Sequence, residues 1–190
     1  MRHIGLGLLI VLLGATFAHA AQREVGTGQT YPTVQACLNA VTAGDICNVH
    51  AGTYTEQLSL PISGTLANRI TLQKNGSDVV TVQSTSTPVV NLNGQSYWTI
   101  TGLNVTYNGI GTSSSIFRTI SNNNYLTISN SVLTFASGGG GSTGAPLFIR
   151  ESDHLTVNGN TIAVTTTTNG TDCADFLHAS NLEVAGNTCY

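Results

Sequence analysis

The sequence predicts an all-β protein: a right-handed parallel β-helix (a solenoid) with a short N-terminal capping helix. Three observations predict this class. A nine-residue pattern recurs at intervals of just under thirty residues, and each copy alternates apolar and polar residues as a strand does. The composition is also rich in Thr, Ser, Asn and Gly and only 8 % charged, which is typical of strands and turns rather than helices.

Four segments align without gaps, and their starts are 28, 29 and 27 residues apart. They are Tyr97–Val105, Tyr125–Leu133, His154–Ile162 and Asn181–Cys189. Each has apolar residues at its second and fourth positions, Gly or Asn at the sixth, and an apolar residue or Cys at the ninth. Gly and Asn adopt positive φ at little cost, so each unit is predicted to be a strand, a sharp bend and a second strand.

Stacked units would bury these apolar residues, because each inward side chain covers the one beneath it. The predicted inward columns are Trp98, Leu126, Leu155 and Leu182; Ile100, Ile128, Val157 and Val184; and Val105, Leu133, Ile162 and Cys189. The amides expected at or beside the bends are Asn130, Asn160 and Asn187. The alternative is a β-sandwich with evenly spaced strands, which gives no reason for a matched bend residue.

The chain opens with a secretion signal. An apolar run from Ile4 to Phe17 follows a charged start and leads to Ala18-His19-Ala20, which predicts a signal peptide at residues 1–20 and a β-helix domain at 21–190. The run is shorter than the roughly twenty residues of a membrane span. We therefore expect a secreted protein (extracellular, periplasmic or at the cell surface) with no membrane span after cleavage.

The charge balance limits the partners. A net charge of −3 and a pI near 5.9 argue against nucleic acid, which requires a basic surface. They leave a polysaccharide partner open, because a charged sugar needs only a local basic patch. We expect a monomer.

Four cysteines can pair in an exported chain. Local pairing, Cys37 with Cys47 and Cys173 with Cys189, is preferred among the three connectivities, and free buried thiols are the alternative. Metal binding by these cysteines is disfavoured because the sequence contains no CxxC motif.

A helix is predicted before the first coil. Thr33 can cap a helix that runs to about Ala43, and Gly44 ends it before the coils begin at about residue 46. Its apolar face consists of Val34, Leu38 and Val41. A helix over the open end of a solenoid would block edge-to-edge pairing.

The segment from Tyr31 to Glu56 resembles the N-terminal cap and first coil of the pectate-lyase-like superfamily, in which a helix leads to a Gly-Asp turn and a Gly-Thr-Tyr-x-Glu segment (Gly52–Glu56). Ile62–Leu72 is similar to that family's Ser-Gly-Thr coil, and Ser96–Leu103 to its Tyr-x-x-(Ile/Val)-x-Gly-Leu coil. The resemblance implies the fold and an activity on polysaccharide. The enzymes that share these motifs are lyases of the alginate-lyase/chondroitinase B-like and pectate-lyase-like kinds.

The resemblance implies that the catalytic Lys or Arg of those enzymes, and any calcium-binding carboxylates, stand on outward faces of middle or later coils. This chain ends at Tyr190, one residue past the inward Cys189. We interpret it as the N-terminal part of a longer β-helix whose C-terminal coils are missing, and we carry over no catalytic residue.

A candidate site lies on the strands that precede each repeat: Ser115–Arg118, Leu147–Arg150 and Asp175–His178. Aligned by their last residues, they place Phe117, Ile149 and Leu177 inward. The same alignment predicts an outward column of Arg118, Arg150 and His178, with Phe148 and Phe176 on the same face. A register slip of one residue would turn every side chain over.

Such a column suits β-elimination of a uronate, which needs a cation to neutralise the carboxylate and a base to remove the neighbouring proton. Arg150 could bind the carboxylate, and His178 or Arg118 could act as neighbour or base. Phe148 and Phe176 could stack on sugar faces. The alternative is solvated basic residues with exposed apolar neighbours.

Four carboxylates could supply a Ca²⁺ site: Glu151, Asp153, Asp172 and Asp175. Asp172 and Asp175 could equally be turn residues beside Cys173, and no other cofactor is expected. Glu151 with Asp175 is also the one pair to test for glycosidase chemistry. Two functions remain open: a secreted lyase acting on acidic, uronate-containing glycans, and a non-catalytic exported surface or carbohydrate-binding β-helix.

Overall fold

The computed structural model describes residues 20–109, 115–121, 123–137, 145–166 and 172–190. Residues 1–19, which hold nearly all of the predicted signal peptide, lie outside this set. Within the described ranges no helix has the length and apolar character needed to cross a membrane.

The chain forms a parallel β-helix of about five turns, and the predicted fold class is confirmed. Sheet A contains β1 (Gln22–Val25), β2 (Ile46–Val49), β5 (Ile70–Lys74), β8 (Trp98–Thr101), β11 (Asn123–Ser129), β14 (Ser152–Asn158) and β17 (Glu183–Ala185). Sheet B contains β3 (Gly52–Thr55), β6 (Val80–Ser84), β9 (Asn104–Tyr107), β12 (Val132–Ser137), β15 (Thr161–Thr166) and β18 (Thr188–Cys189). Sheet C contains β4 (Leu58–Ser59), β7 (Val90–Asn91), β10 (Phe117–Thr119), β13 (Leu147–Arg150) and β16 (Ala174–Leu177).

The predicted inward columns on sheets A and B are confirmed. Leu126 pairs with Trp98 on one side and Leu155 on the other, and Leu133 pairs in the same way with Val105 and Ile162. The columns continue into the last coil through the pairs Val157 with Val184 and Ile162 with Cys189. In that coil the predicted burial is not found, because Leu182 and Val184 are 40 % and 52 % exposed and Cys189 is exposed as well. From Trp98 to Ile162 their side chains are at most 3 % exposed, so they form the continuous core.

The bends between sheets A and B also match the prediction. Gly102, Asn130, Gly159 and Gly186 have φ of 75°, 50°, 63° and 62°. The predicted amide ladder, however, runs beside the bend and does not include Asn130. Asn160 Nδ2 donates to Asn187 Oδ1 at 2.9 Å, and the Ser131 backbone N–H donates to Asn160 Oδ1 at 3.0 Å.

The helix that precedes the first coil, α1 (Val34–Leu38), is shorter than the predicted span of about 33–43. Thr33 does cap it, since its Oγ1 accepts from the Ala36 N–H. After Leu38 the helix gives way to a tighter turn, in which the Ala40 N–H donates to the Cys37 carbonyl at 2.9 Å, and the Thr42 N–H then donates to the carboxylate of Asp45 at 2.7 Å. Its role as a cap over the open end stays a prediction.

Both predicted disulfides are present. Cys37–Cys47 joins α1 to β2 with a Cα–Cα distance of 6.1 Å, and Cys173–Cys189 joins the segment before β16 to β18 with a distance of 6.3 Å. Two disulfides are compatible with an oxidising compartment, as in exported proteins.

The motif residues singled out in the sequence analysis hold the first coils together. Both oxygens of Glu56 accept N–H groups at the start of α1, from Val34 at 2.9 Å and Gln35 at 3.0 Å. Gly64 packs so closely that a Cβ there would lie 2.7 Å from the Tyr97 carbonyl oxygen. These motif residues therefore have structural roles.

Candidate functional site

The register of sheet C differs from the predicted one. Arg118 pairs with Phe148, and Arg150 pairs with Leu177. The predicted single outward column of Arg118, Arg150 and His178 is therefore wrong.

The error came from aligning the strands by residue type at their ends. The correct register of the last two coils can be counted back from the repeats, because Arg150 and Leu177 each stand four residues before a repeat begins, at His154 and Asn181. The corner before Tyr125 is one residue longer. Corner length, rather than residue type, sets the register.

The observed register is offset from the predicted one at two strand pairs, and the two offsets, or slips, have different consequences. Between β10 and β13 the slip is two residues, so Arg118 and Arg150 both still face outward and are exposed. Between β13 and β16 the slip is one residue, which turns the side chains over. Phe176 pairs with Ile149 and packs against the core, so its predicted place on the outward face is wrong, and Leu177 is exposed instead of buried.

Two arginines flank one aromatic ring on the outer face of sheet C. The Cζ atoms of Arg118 and Arg150 lie 5.7 and 4.4 Å from the ring centroid of Phe148, within range of a cation–π interaction. Within the described residues neither guanidinium has a hydrogen bond or an ion pair. We call these three residues the Arg–Phe–Arg cluster; its donors are free to bind a ligand.

The cluster lies within two outward rows of sheet C. The first row contains Ser59, Asn91, Arg118, Phe148 and Asp175. The second contains Arg150 and Leu177. Ile120, one residue beyond β10, is also exposed. Beside Arg118 is a depression of about 420 Å³, lined by Pro88, Asn91, Asn93, Gly94, Arg118, Thr119, Ile120 and Ser121. The surface therefore offers cations, amides and apolar groups together.

A second depression, of about 240 Å³, lies at the corner between sheets C and A. Its lining includes three predicted site residues, Glu151, Asp153 and His178, together with Asn124, Ser152 and Ser180. Glu151 and His178 both have left-handed backbones, with φ of 50° and 54°. The structure thus places His178 at the corner beside Glu151 rather than on the face with the arginines.

The four predicted calcium ligands do not converge. Asp175 lies beside Phe148 on the sheet face, whereas Glu151 and Asp153 line the corner depression. Asp153 Oδ1 accepts from Asn181 Nδ2 at 2.6 Å and from Ser180 Oγ at 2.7 Å, and these bonds lower the pKa of Asp153. Across the described ranges no three His, Cys, Asp or Glu side chains form a group that could hold a metal ion. Glu151 and Asp175 likewise lie on different surfaces, which does not favour glycosidase chemistry.

Two polar features were not predicted. The first residues of successive repeats form a ladder in which Tyr125 stacks on Tyr97 and His154, with ring centroids 4.8 and 4.2 Å apart. In the first coils, His50 Nε2 lies 2.6 Å from Glu24 Oε2. The Tyr, Tyr, His, Asn series at the start of each repeat was the available signal for the ladder. Its ring faces contact one another, so the ladder has a structural role.

Comparison with known proteins gives limited information. No family model and no curated protein sequence matches the chain. Two crystal structures of the pectin methylesterase from Aspergillus niger are similar, both at 14 % identity. The match to the deglycosylated form covers 90 % of this chain and 88 % of the esterase chain, with a TM-score of 0.33. The match to the penultimately deglycosylated form covers 92 % of this chain and 82 % of the esterase chain, with a TM-score of 0.34. This similarity is too low to support an argument about function.

Proposed function

We propose that this protein is an exported polysaccharide-binding β-helix that takes acidic, uronate-containing glycans on the outer face of sheet C. The observation that carries the proposal is the Arg–Phe–Arg cluster. Two exposed guanidiniums that make no hydrogen bond or ion pair within the described residues lie near one aromatic ring.

The chemistry of the cluster fits such a ligand. A guanidinium can donate two parallel hydrogen bonds to a carboxylate, which is the group that distinguishes a uronate from a neutral sugar. Phe148 offers an apolar surface to the C–H face of a sugar ring. Asn91 in the adjacent depression can donate to a hydroxyl group, because its side-chain N–H groups make no hydrogen bond within the described residues.

Uronate β-elimination is a second candidate. It needs a cation at the carboxylate and a base near the adjacent carbon. Glu151 follows Arg150 directly in the chain, and His178 lies beside Glu151 in the corner depression. This placement supports testing for lyase activity once binding is established.

The binding proposal is tested with charge-removing variants. We expect Arg118→Gln and Arg150→Gln each to weaken binding of polygalacturonate or alginate on the order of tenfold, because each removes charge-assisted hydrogen bonds. Isothermal titration calorimetry at low ionic strength measures the change. Lys74→Gln, which removes the same charge at the end of β5 on sheet A, is the matched control and should bind like wild type.

Equal affinities for all three variants, or no binding of any polyuronate by the wild-type protein, would overturn the proposal. A rise in ultraviolet absorbance from unsaturated uronate products would establish the second candidate. Binding without that rise would favour the non-catalytic function.

A further inference from the structure

Each of the two arginines on the outer face of sheet C has an apolar residue beside it on the next strand. In the first row Arg118 lies beside Phe148, and in the second row Arg150 lies beside Leu177. Ile120, two residues after Arg118, is 64 % exposed and lines the same depression as Arg118. Neighbouring strands are about 4.8 Å apart, so each arginine has an apolar residue on the next strand.

A fully hydroxylated polyuronate would match only half of this pattern. Its carboxylates suit the guanidiniums, but its hydroxyl groups would lose water against Ile120 and Leu177 without gaining a hydrogen bond. A methyl group placed there would instead gain from burial. The exposed apolar side chains therefore favour a ligand with an apolar substituent close to each carboxylate.

The depression beside Arg118 has the same mixed character. Pro88 and Ile120 give it apolar walls, and Asn91, whose side-chain N–H groups make no hydrogen bond within the described residues, gives it an amide donor that could reach an ester carbonyl. Asp175 stands on the far side of Phe148 in the first row, where it disfavours a carboxylate. A carboxylate is therefore favoured near the arginines, with its substituent towards Ile120.

We infer that this face selects acidic glycans in which an O-acetyl group lies near a free carboxylate. The inference rests on the proposed function and names its substrate class. O-acetylation suits the test because it adds a methyl group and a carbonyl while leaving the carboxylate charge unchanged.

The experiment compares one polygalacturonate sample before and after chemical O-acetylation to a measured degree. We expect the wild-type protein to bind the acetylated polymer about fourfold more tightly for each methyl group buried, since one buried carbon is worth about 0.8 kcal/mol. Ile120→Ser should abolish most of this preference, because it removes the apolar side chain against which the acetyl methyl group would pack. Leu66→Ser, at a side chain that is 73 % exposed between β4 and β5, is the matched control and should keep the preference.

The outcomes separate the two proposals. Equal affinity for both polymers, or an Ile120→Ser variant that keeps the preference, overturns this inference and leaves the proposed function in place. Absence of binding to either polymer overturns both. Far-UV circular dichroism and thermal melting confirm that each variant is folded, so that a lost preference is assigned to the surface.

Discussion

At the scale of single residues, Asp45 is the most heavily bonded carboxylate in the first coil. It is 1 % exposed and lies 2.7 Å from the Arg23 guanidinium. It also accepts the backbone N–H groups of Thr42 and Ala21, at 2.7 and 2.9 Å. Burial alone would raise the pKa of Asp45, but these hydrogen bonds outweigh it and hold the pKa below its ordinary value.

We expect Asp45→Asn to lower the free energy of unfolding by about 3 kcal/mol at pH 7, because it leaves Arg23 without its buried partner. Folding lowers the pKa of Asp45, so the stability it contributes is present above the unfolded pKa of about 4 and is lost as pH falls through the lower folded value. Urea unfolding at pH 7 and pH 3 should therefore show a smaller pH dependence for the variant than for wild type.

Asp172→Asn is the control, because Asp172 is exposed and makes no hydrogen bond within the described residues. It should unfold like wild type at both pH values. Equal unfolding curves for Asp45→Asn and Asp172→Asn would contradict the role given to the buried ion pair.

Residue type identified part of the candidate site. Arg118, Arg150 and Phe148 stand on one outward face, as predicted, because a slip of two residues preserves the face. Phe176 and His178 do not, because a slip of one reverses it. An aromatic or basic residue in a strand carries no local signal of which way it points; only its neighbours in the sheet decide that.

At the scale of elements, the sheets differ in how far the sequence predicts them. Sheets A and B are joined by a bend whose Gly or Asn is fixed within each repeat, so the register of one sheet determines that of the other. In sheet C, the segments that precede β10, β13 and β16 are nine, nine and seven residues long, and these lengths impose no common register on the strands. The register of sheet C is set instead by the length of the corner that leads from each of its strands into sheet A.

The first turn of α1 depends on a side chain from the first coil. Glu56→Ala should lower the free energy of unfolding by about 1 kcal/mol, because it removes both acceptors for the N–H groups of Val34 and Gln35. Glu56→Gln, which keeps one acceptor, should lose less. Urea unfolding measures the series, and Glu183→Ala on the exposed β17 is the control. An unfolding curve for Glu56→Ala that matches the control would show that Glu56 does not stabilise the helix.

At the scale of the whole molecule, the side chains that form the core and those of the proposed binding face lie on opposite sides of the strands. The inward columns hold the stack of coils together, and they could be predicted because their spacing repeats. The outward face of sheet C combines side chains from several coils that are about thirty residues apart in sequence. No repeat pattern relates those residues, so the sequence predicted only part of this face, and the register of its strands follows from their observed pairing.

The central claim is that acidic glycan binds at the Arg–Phe–Arg cluster, and a crystal structure of the protein with an acidic oligosaccharide, such as a trigalacturonate, tests it most directly. The account predicts a uronate carboxylate within hydrogen-bond distance of the Arg118 or Arg150 guanidinium and a sugar ring against Phe148. An oligosaccharide bound instead in the corner depression beside Glu151, or on sheet A or B, would contradict it.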